Sequence, residues 1–376
     1  MRFNYNLPVN LVFGRGRVAE AGTITASYGK KALLVTGMGS TKKSGLLDRV
    51  ISYLKEAGVE SVVFDKVSQN PLTTTAIEGA KLSKAEHCDV VLGLGGGSIM
   101  DCAKAIAFLS VNDGDINDYI FARLVSDSAL PLILVPTTCG TGSEGNGFAV
   151  LTNPENGDKK SLRCSAIIAK ASIIDSELME TMPKHILASV GFDALCHSME
   201  AYLSKIGQPM TDVMSLMAME LVGKNLIKVY EGDGDADSWD AITWASTLGG
   251  MVINNAGVTL PHGMEHPASG LKNIVHGRGL AALTPVITEA SIKGAPEKYA
   301  QISRLLGGTD ENDCADTIRS LLGKLELQTS LSEQGIAESD IPWMCENCFK
   351  VSAAGIANHP VVFTKEEIEE LYRKAL

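Results

Sequence analysis

The first half of the chain alternates between short apolar runs and segments with helical periodicity. The apolar runs are "KALLVT" (31–36), "SVVFD" (61–65), "CDVVLGLGGGS" (88–98) and "LPLILVPT" (130–137). The helical segments between them are 42–58, 73–87 and 101–110. Strands that alternate with helices are typical of a parallel sheet covered on both faces. The pattern therefore predicts an N-terminal α/β domain of the Rossmann-like type.

The second half has a different pattern, because its segments are long, rich in Ala, Leu and Met, and helically periodic. These segments are 186–204, 210–229, 237–254, 278–292, 311–324 and 365–375. Strand signals nearly vanish there, so we predict an all-helical second domain. The boundary is placed near "METMPKH" (179–185), which gives domains 1–181 and 182–376. No repeat or low-complexity linker separates the two, and we expect them to pack closely.

Composition narrows the classes of partner. The 376 residues carry a formal net charge of −11 and no basic block, which argues against nucleic acid or an anionic membrane as a partner. No apolar run approaches the ~20 residues of a membrane span, and no signal pattern opens the chain. The eight cysteines are scattered and suggest no disulfide framework. We expect a soluble cytoplasmic protein with reduced thiols.

A glycine-rich stretch, "GLGGGSIMD" (93–101), lies where a predicted strand ends and a helix begins. Glycines allow close approach of a ligand to the backbone, and a helix N-terminus offers free N–H groups to a phosphate. Ser98 occupies the third glycine position of the dinucleotide fingerprint, so a simple strand–helix turn is the alternative. "PTTCGTGSEGN" (136–146) follows the next strand with hydroxyls and glycines suited to a nucleotide groove.

Three of the seven histidines lie in "GVTLPHGMEHPASGLKNIVHG" (257–277): His262, His266 and His276. A single histidine on an apolar face is usually a satisfied core residue. Three within fifteen positions indicate a common cause, and the usual cause is a metal ion or a proton relay.

A second block, "GFDALCHSMEAY" (191–202), places Asp193 and His197 four residues apart on one helical face. Such a pair alone often only supports a helix. Together with His262 and His276 it offers one carboxylate and three imidazoles to a single ion. We therefore predict a metal site at these four residues.

These motifs resemble the iron-containing (group III) alcohol dehydrogenase family, and the resemblance runs nearly end to end. It covers "LVFGRG", "GGGSIMDCAK" (95–104), "PTTCGTGSE" (136–144), "GFDALCHSMEAY", "HGMEHPASG" (262–270), "VHGRGLA" (275–281) and "YRKAL". It implies a dehydroquinate synthase-like architecture, in which a dinucleotide-binding α/β domain precedes an all-α metal-binding domain. The active site is then expected in the cleft between the domains.

The resemblance also implies roles for individual residues. The metal ligands would be Asp193, His197, His262 and His276, with His266 as an additional active-site histidine that relays a proton or supports the ligands. The expected coenzyme contacts are Gly95, Gly96, Gly97 and Ser98 at the pyrophosphate, Thr137, Thr138 and Thr141 along the groove, Asp101 near the nicotinamide ribose, Leu178 at the adenine, and Lys159 or Lys160 at a phosphate or ribose. For the lysine pair the alternative is a solvated turn.

Departures from the family pattern concern the coenzyme and the pocket. Gly37 stands where the family often has Asp, which removes repulsion of a 2′-phosphate, and Ser40 with Lys42 or Lys43 could bind that phosphate. We therefore expect NADP(H) to be preferred, with NAD(H) possible. Cys139 and "EGNG" (144–147) bear on pocket shape. The family name favours Fe²⁺ as the metal, although Zn²⁺ or Mn²⁺ also suits one carboxylate and three imidazoles.

The sequence thus predicts a metal-dependent alcohol dehydrogenase or aldehyde reductase that transfers a hydride reversibly between a nicotinamide coenzyme and a small primary alcohol or aldehyde. Two alternatives stay open: a metal- and nucleotide-dependent lyase of the dehydroquinate synthase type, and a non-catalytic binding protein on the same fold. The resemblance also suggests a homodimer or larger homo-oligomer. The identity of the alcohol or aldehyde is not determined.

Overall fold

The computed structural model describes residues 2–376. The strands are β1 (Leu11–Phe13), β2 (Lys31–Gly37), β3 (Glu60–Val67), β4 (Val90–Gly95), β5 (Leu132–Pro136), β6 (Phe148–Thr152), β7 (Lys159–Arg163) and β8 (Ala171–Ile174). The helices of the first half are α1 (Ala21–Ala26), α2 (Ser40–Lys43), α3 (Leu46–Glu56), α4 (Thr73–Ala85), α5 (Gly97–Leu109) and α6 (Ile116–Ile120). The helices of the second half are α7 (Lys184–Leu203), α8 (Pro209–Glu231), α9 (Ala236–Ala256), α10 (Leu260–Lys272), α11 (His276–Ser291), α12 (Pro296–Leu305), α13 (Cys314–Lys324), α14 (Ile341–Asn358) and α15 (Lys365–Ala375).

The fold class predicted from the sequence is confirmed. Six strands form one parallel sheet in the order β1-β8-β5-β4-β2-β3. Strands β2, β4 and β5 are almost wholly buried, as expected for a sheet with helices on both faces. In the sheet, β3 lies on one side of β2 and β4 lies on the other side. The crevice at the carboxyl ends of β2 and β4 is therefore the switch point where α/β sheets bind ligands.

The elements missed by the sequence pattern are short or irregular. Strands β6 and β7 form a separate antiparallel hairpin, and β1 and β8 extend the main sheet on one side. Five helices were also not identified: α1, α6, α10, α12 and α14. Of the two longest, α10 contains Pro267 and α14 is kinked at Ser352. Beyond α7 the described residues contain no strand, so the second half is all-helical as predicted. The predicted boundary at 181/182 falls between the end of β8 and the start of α7.

Among residues 2–376, no helix combines the length and apolar character needed to cross a bilayer. All eight cysteines are free, and seven of them are buried.

The loop after β5 docks tightly on α9 and joins the two halves of the molecule. A Cβ built on Gly250 would lie 1.8 Å from the carbonyl oxygen of Gly142, whose own backbone is left-handed with φ +56°. The Thr247 hydroxyl donates to Glu144 Oε1 at 2.7 Å, and both residues are buried. Glycine at position 250 is therefore required by the approach of two backbones.

We predict that Gly250→Ala lowers stability, because the added methyl group must push the loop off α9. Overpacking of this kind costs about 1–3 kcal/mol, and a lower melting temperature in a thermal denaturation would reveal it. Gly323→Ala is the matched control, since it also lies in a helix and its nearest neighbour is the flexible end of Gln328 at 3.2 Å. Equal melting temperatures for the two variants would contradict the argument.

Candidate functional site

Three of the predicted metal ligands converge where α7, α10 and α11 meet. Asp193 lies on α7, His262 on α10, and His276 is the first residue of α11. Asp193 Oδ1 is 3.4 Å from His262 Nε2 and 3.6 Å from His276 Nε2. One ligand atom from each residue lies within 4.8 Å of the other two. Residues far apart in sequence thus offer one carboxylate oxygen and two imidazole nitrogens to a common point.

His197 lies beside this group, one helical turn after Asp193. Its Nδ1 is 3.6 Å from Asp193 Oδ1, and its ring stacks on His262 with the centroids 4.5 Å apart. Within residues 2–376, the residues whose ligand atoms all lie within 4.8 Å of one another are Asp193, His262 and His276. His197 does not belong to this group. The structure therefore brings all four predicted ligands into contact, with His197 at the edge.

Two buried glutamates lie behind the histidines and were not identified from the sequence. Glu200 Oε1 lies 2.5 Å from His262 Nδ1, and Glu200 Oε2 accepts a hydrogen bond from the Thr259 backbone N–H. Glu265 pairs with His276 Nδ1. A carboxylate on the far nitrogen fixes the tautomer and orientation of an imidazole whose other nitrogen binds metal. The sequence did contain a signal, because "HSME" (197–200) and "HGME" (262–265) both place a glutamate three residues after a histidine.

The electrostatics of the cluster keep its carboxylates ionised. Burial would raise the pKa of Asp193, but the surrounding imidazoles outweigh burial and bring it well below its usual range. The pKa of Glu200 is likewise lowered by His262, and that of Glu265 by His276 and Lys159, in each case against the effect of burial. Burial lowers the pKa of His262, yet Glu200 and Asp193 together raise it to about 10. Burial lowers the pKa of His197 to about 4.

His266 faces the same site without belonging to the ligand group. Its ring centroid lies 6.2 Å from that of His262 and 6.0 Å from that of His276. Burial, reinforced by the Lys159 ammonium, holds the pKa of His266 well below its usual range. The imidazole is therefore neutral near pH 7, able to accept a proton on one nitrogen and donate from the other.

A cleft of about 750 Å³ runs from the metal-ligand group to the carboxyl ends of β2 and β4. It is lined by most of the predicted coenzyme residues, namely Gly37, Ser40, Gly96, Gly97, Ser98, Thr137, Thr138, Thr141 and Leu178. Asp193 and His276 line its other end. The glycines pack against the next loop, since a Cβ on Gly97 would lie 2.3 Å from Thr141 Cγ2. Gly96 and Gly97, the N-cap and the first residue of α5, carry no side chain and line the cleft, so the N-terminus of this helix is open to it.

Three predicted coenzyme residues occupy other places. Gly95 does not line the cleft; its φ of +156° ends β4, and a Cβ there would meet the Ile99 side chain at 2.9 Å. Asp101 is buried beside the cleft, where it accepts hydrogen bonds from the Ser143 hydroxyl at 2.6 Å and the Val150 N–H at 3.0 Å. Lys159 also lies outside the cleft.

Lys159 is a buried residue at the start of β7, so the alternative of a solvated turn is wrong. Its amine lies 2.9 Å from Asn70 Oδ1 and 3.5 Å from Glu265 Oε2. It therefore lies at the metal-ligand end of the cleft, behind His276. Lys160 turns the other way and donates to the Val351 carbonyl at 2.7 Å.

Lys42 pairs with Asp65 on the surface and does not line the cleft. A different cation does line it near Gly37 and Ser40, namely Arg49 on α3. Arg49 could not be identified from the sequence, because its position depends on how α3 packs beside β2.

A second, smaller cavity of about 130 Å³ adjoins the cleft and shares Gly97, Ser98, Thr141 and His276 with it. His197, His262 and His266 line one side. The β6–β7 hairpin and the residues before it form the opposite side, through Asn146, Phe148, Val150, Ser161 and Arg163. The cluster of histidines therefore lies between a long cleft suited to a dinucleotide and a short pocket suited to a small molecule.

The loop that forms part of this pocket is held by a fully buried lysine. Lys104 on α5 places its amine 2.6 Å from the Ser143 carbonyl oxygen, 3.0 Å from Asn146 Oδ1 and 2.7 Å from the Phe148 carbonyl oxygen. Burial lowers the pKa of Lys104 to about 8. These bonds tie the loop, the start of β6 and α5 together, which fixes the wall opposite the histidines.

Comparison with known proteins gives a consistent result over nearly the whole chain. A family model described as iron-containing alcohol dehydrogenase matches residues 8–176, and one described as the C-terminal part of the Fe-containing alcohol dehydrogenase family matches residues 187–376. Both halves therefore favour a dehydrogenase over the lyase and over a non-catalytic protein.

Individual relatives agree. The 1,3-propanediol dehydrogenase of Citrobacter freundii is 33% identical, over 99% of this chain and 98% of that protein. The sulfoacetaldehyde reductase of Bilophila wadsworthia is 31% identical, over 98% and 97%. The crystal structure of an archaeal alcohol dehydrogenase from a Red Sea brine pool superposes with a TM-score of 0.96 at 35% identity, covering 100% of this chain and 99% of that one. The chain belongs to the iron-containing alcohol dehydrogenase family and is an oxidoreductase that acts on small alcohols or aldehydes with a nicotinamide coenzyme.

Proposed function

We propose that this enzyme reduces a small aldehyde, and oxidises the matching alcohol, at the point where the short pocket meets the coenzyme cleft. One observation carries the proposal. The mutually close ligand atoms of Asp193, His262 and His276 lie where the long cleft and the short pocket join, so coenzyme and substrate can meet there. The opening of α5 toward the cleft supports a pyrophosphate at Gly96, Gly97 and Ser98.

The donor atoms fit a divalent metal ion. Asp193 Oδ1 and His262 Nε2 are buried and have no hydrogen-bond partner among residues 2–376, and such orphaned atoms are costly unless a ligand satisfies them. Histidines bind a metal ion in their neutral form. With the histidines neutral, Asp193, Glu200 and Glu265 carry three negative charges against the one positive charge of Lys159. A doubly charged cation offsets the remaining two. We propose Asp193, His262 and His276, with His197, as its ligands.

When bound there, the metal would polarise the substrate oxygen as a Lewis acid. The chain's own residues perform the remaining tasks. Glu200 and Glu265 orient His262 and His276, and Lys159 holds Glu265 in place. The neutral His266 imidazole is the proposed proton carrier for the substrate oxygen, since it shares the pocket with the ligands. The walls of cleft and pocket align the two reactants and exclude water.

We also propose the identity of the metal, the preferred coenzyme and the oligomeric state. Iron is favoured by the family, with Zn²⁺ and Mn²⁺ as the other candidates. NADPH is favoured over NADH because Gly37, Ser40 and Arg49 line one end of the cleft. A homodimer or larger assembly is supported by Met210, Val213 and Met217, which expose apolar side chains along one face of α8.

The direct experiment is a panel of short aldehydes mixed with the metal-loaded enzyme and either NADPH or NADH, followed at the nicotinamide absorbance band. We expect coenzyme oxidation that depends on aldehyde. Coenzyme binding without oxidation for every aldehyde and every metal tested would overturn the proposal.

We predict that Glu200→Gln weakens metal binding by about 10–100-fold, because His262 loses the carboxylate that orients it and raises its basicity. His262→Ala should lose the metal more completely and lose turnover with it. The measurement is metal retention during competition with a chelator. Glu220→Gln is the control, since Glu220 is exposed on α8 and pairs with Lys224; weakening in this variant as well would show that the effect is not local.

His266→Ala should keep the metal but slow turnover by about 10²–10⁴-fold, the usual contribution of a positioned proton carrier. The pH–rate profile should change too, because water must then carry the proton. His185→Ala, at the exposed start of α7, serves as the control. A profile that is unchanged in His266→Ala would reduce this residue to a packing role.

For the coenzyme, we predict that Gly37→Asp shifts the NADPH/NADH ratio of kcat/KM toward NADH by at least tenfold. One like-charge pair at ~4 Å and an effective dielectric near 20 costs roughly 4 kcal/mol. A side chain fits, because a Cβ on Gly37 has only ordinary contacts, the nearest 3.4 Å from Val67 O. Gly39→Asp, which adds the same charge outside the cleft lining, should change the ratio much less. A wild-type enzyme strict for NADH would refute the preference.

A further inference from the structure

The short pocket contains a cation that the proposed reaction does not use. Arg163 is the last residue of β7 and pairs across the hairpin with Phe148. Its guanidinium carbon lies 4.4 Å from the centre of the Phe148 ring, a cation–π contact that holds the side chain against the pocket wall. Both residues line the pocket together with His262, His266 and His276.

Arg163 has no anionic partner. Among residues 2–376, no carboxylate oxygen lies within 4.0 Å of its guanidinium, whereas Arg15, Arg123 and Arg319 each pair with at least one carboxylate. No side-chain or carbonyl oxygen accepts a hydrogen bond from it either. Arg163 is exposed to solvent at the pocket wall. Nearby protein atoms lower its pKa by desolvation, but a guanidinium stays charged at neutral pH. Its donors are therefore free to bind an anion inside the pocket.

The nearby carboxylates are already satisfied by other groups. Asp101 lines the same pocket and accepts hydrogen bonds from Ser143 and Val150. Glu265 is held by Lys159, His276 and the Ser269 hydroxyl. Of the two cations that β7 contributes to the pocket, Lys159 is paired with Glu265 and Arg163 is unpaired, while the opposite side carries the metal-ligand group.

Pocket size limits the length of the substrate. The short pocket has a volume of about 130 Å³, less than a fifth of the 750 Å³ of the cleft. Ile253 and Val258 add apolar wall between the two polar ends. A molecule that fits is short, with a polar group at each end and carbon between them.

We propose that the physiological substrate is a short aldehyde, about two to four carbons long, whose far end carries a carboxylate or sulfonate bound by Arg163. The inference rests on the proposed function, which supplies the reacting aldehyde end. A planar guanidinium matches these oxyanions with two parallel charge-assisted hydrogen bonds. The relatives act, by their names, on a neutral diol and on an anionic aldehyde, so family membership leaves this choice to the pocket of the individual enzyme.

The test compares anionic aldehydes with neutral molecules of the same shape. Succinate semialdehyde is paired with 4-methylpentanal, and sulfoacetaldehyde with 3,3-dimethylbutanal, so the two arms separate carboxylate from sulfonate. In at least one pair we expect kcat/KM for the anion to exceed that for the neutral partner by tenfold or more. Arg163→Met should reduce this ratio at least tenfold, mainly through KM, and Arg163→Lys should restore part of it.

Binding provides a readout that does not depend on turnover. Calorimetry of succinate or ethanesulfonate with the wild-type enzyme–NADPH complex should show binding that weakens at least tenfold in Arg163→Met. Arg123→Met is the matched control, because Arg123 is likewise exposed and lies over a phenylalanine ring, but it pairs with Asp118 and does not line the pocket. The selectivity of this variant should equal that of the wild type.

The outcomes are distinguishable. If neutral aldehydes are reduced as well as their anionic partners, and Arg163→Met leaves the ratio unchanged, the substrate proposal is wrong while the reductase stands. If no aldehyde in either series is reduced with either coenzyme, the proposed function itself fails. Should Arg163→Met unfold, as judged by circular dichroism, the charge-conserving Arg163→Lys and the wild-type ratios still decide the question.

Discussion

Buried negative charge at the junction of α7, α10 and α11 is the constraint on which the rest of the site depends. Asp193, Glu200 and Glu265 are all buried and all ionised, and burial of one unpaired carboxylate would be expensive. The structure offsets this cost by pairing carboxylates with imidazoles. Each glutamate contacts a histidine that lies on another helix. Glu200 of α7 supports His262 of α10, and Glu265 of α10 supports His276 of α11. The helices are therefore positioned by the same pairs that prepare the ligands.

A second constraint fixes this junction relative to the coenzyme cleft. The loop after β5 contacts α5 through the threonines that pack on Gly96 and Gly97, and it contacts α9 through Gly142 and Gly250. Lys104 ties the end of the loop back to α5. One loop thus touches the phosphate end of the cleft, the helical half of the molecule and the pocket wall. A rigid loop of this kind sets the distance between a hydride carrier and a carbonyl carbon, which matters on the scale of an ångström.

The elements and residues that could be predicted from the sequence are those that follow from a local sequence pattern. The alternation of β2, α3, β3, α4, β4 and α5 follows from apolar periodicity. The four metal-ligand candidates follow from the Asp193–His197 spacing on one helix and from the clustering of histidines in residues 257–277. Glu200 and Glu265 were missed although "HSME" and "HGME" resemble each other, because each glutamate serves a histidine on a different helix. Lys159 was placed at the phosphates for a similar reason, since only the packing of β7 on α10 brings it to Glu265. Helix packing, rather than local pattern, decides these contacts.

The β6–β7 hairpin contains a departure from the family's sequence pattern, and the fold shows the structural effect of this departure. "EGNG" (144–147) suggested from sequence only that the pocket differs in shape. In the fold, a Cβ on Gly147 would lie 2.8 Å from the Cys164 carbonyl oxygen, and the Cys164 N–H donates to the Gly147 carbonyl at 3.2 Å. A larger residue at 147 would separate the two strands at this end. Glycine keeps them close, and the same closeness lays Arg163 over Phe148. Because β6 and β7 form a sheet of their own, this end of the hairpin can change without disturbing the strands that end at the cleft. The proposed anion site and the proposed coenzyme site therefore depend on separate parts of the fold.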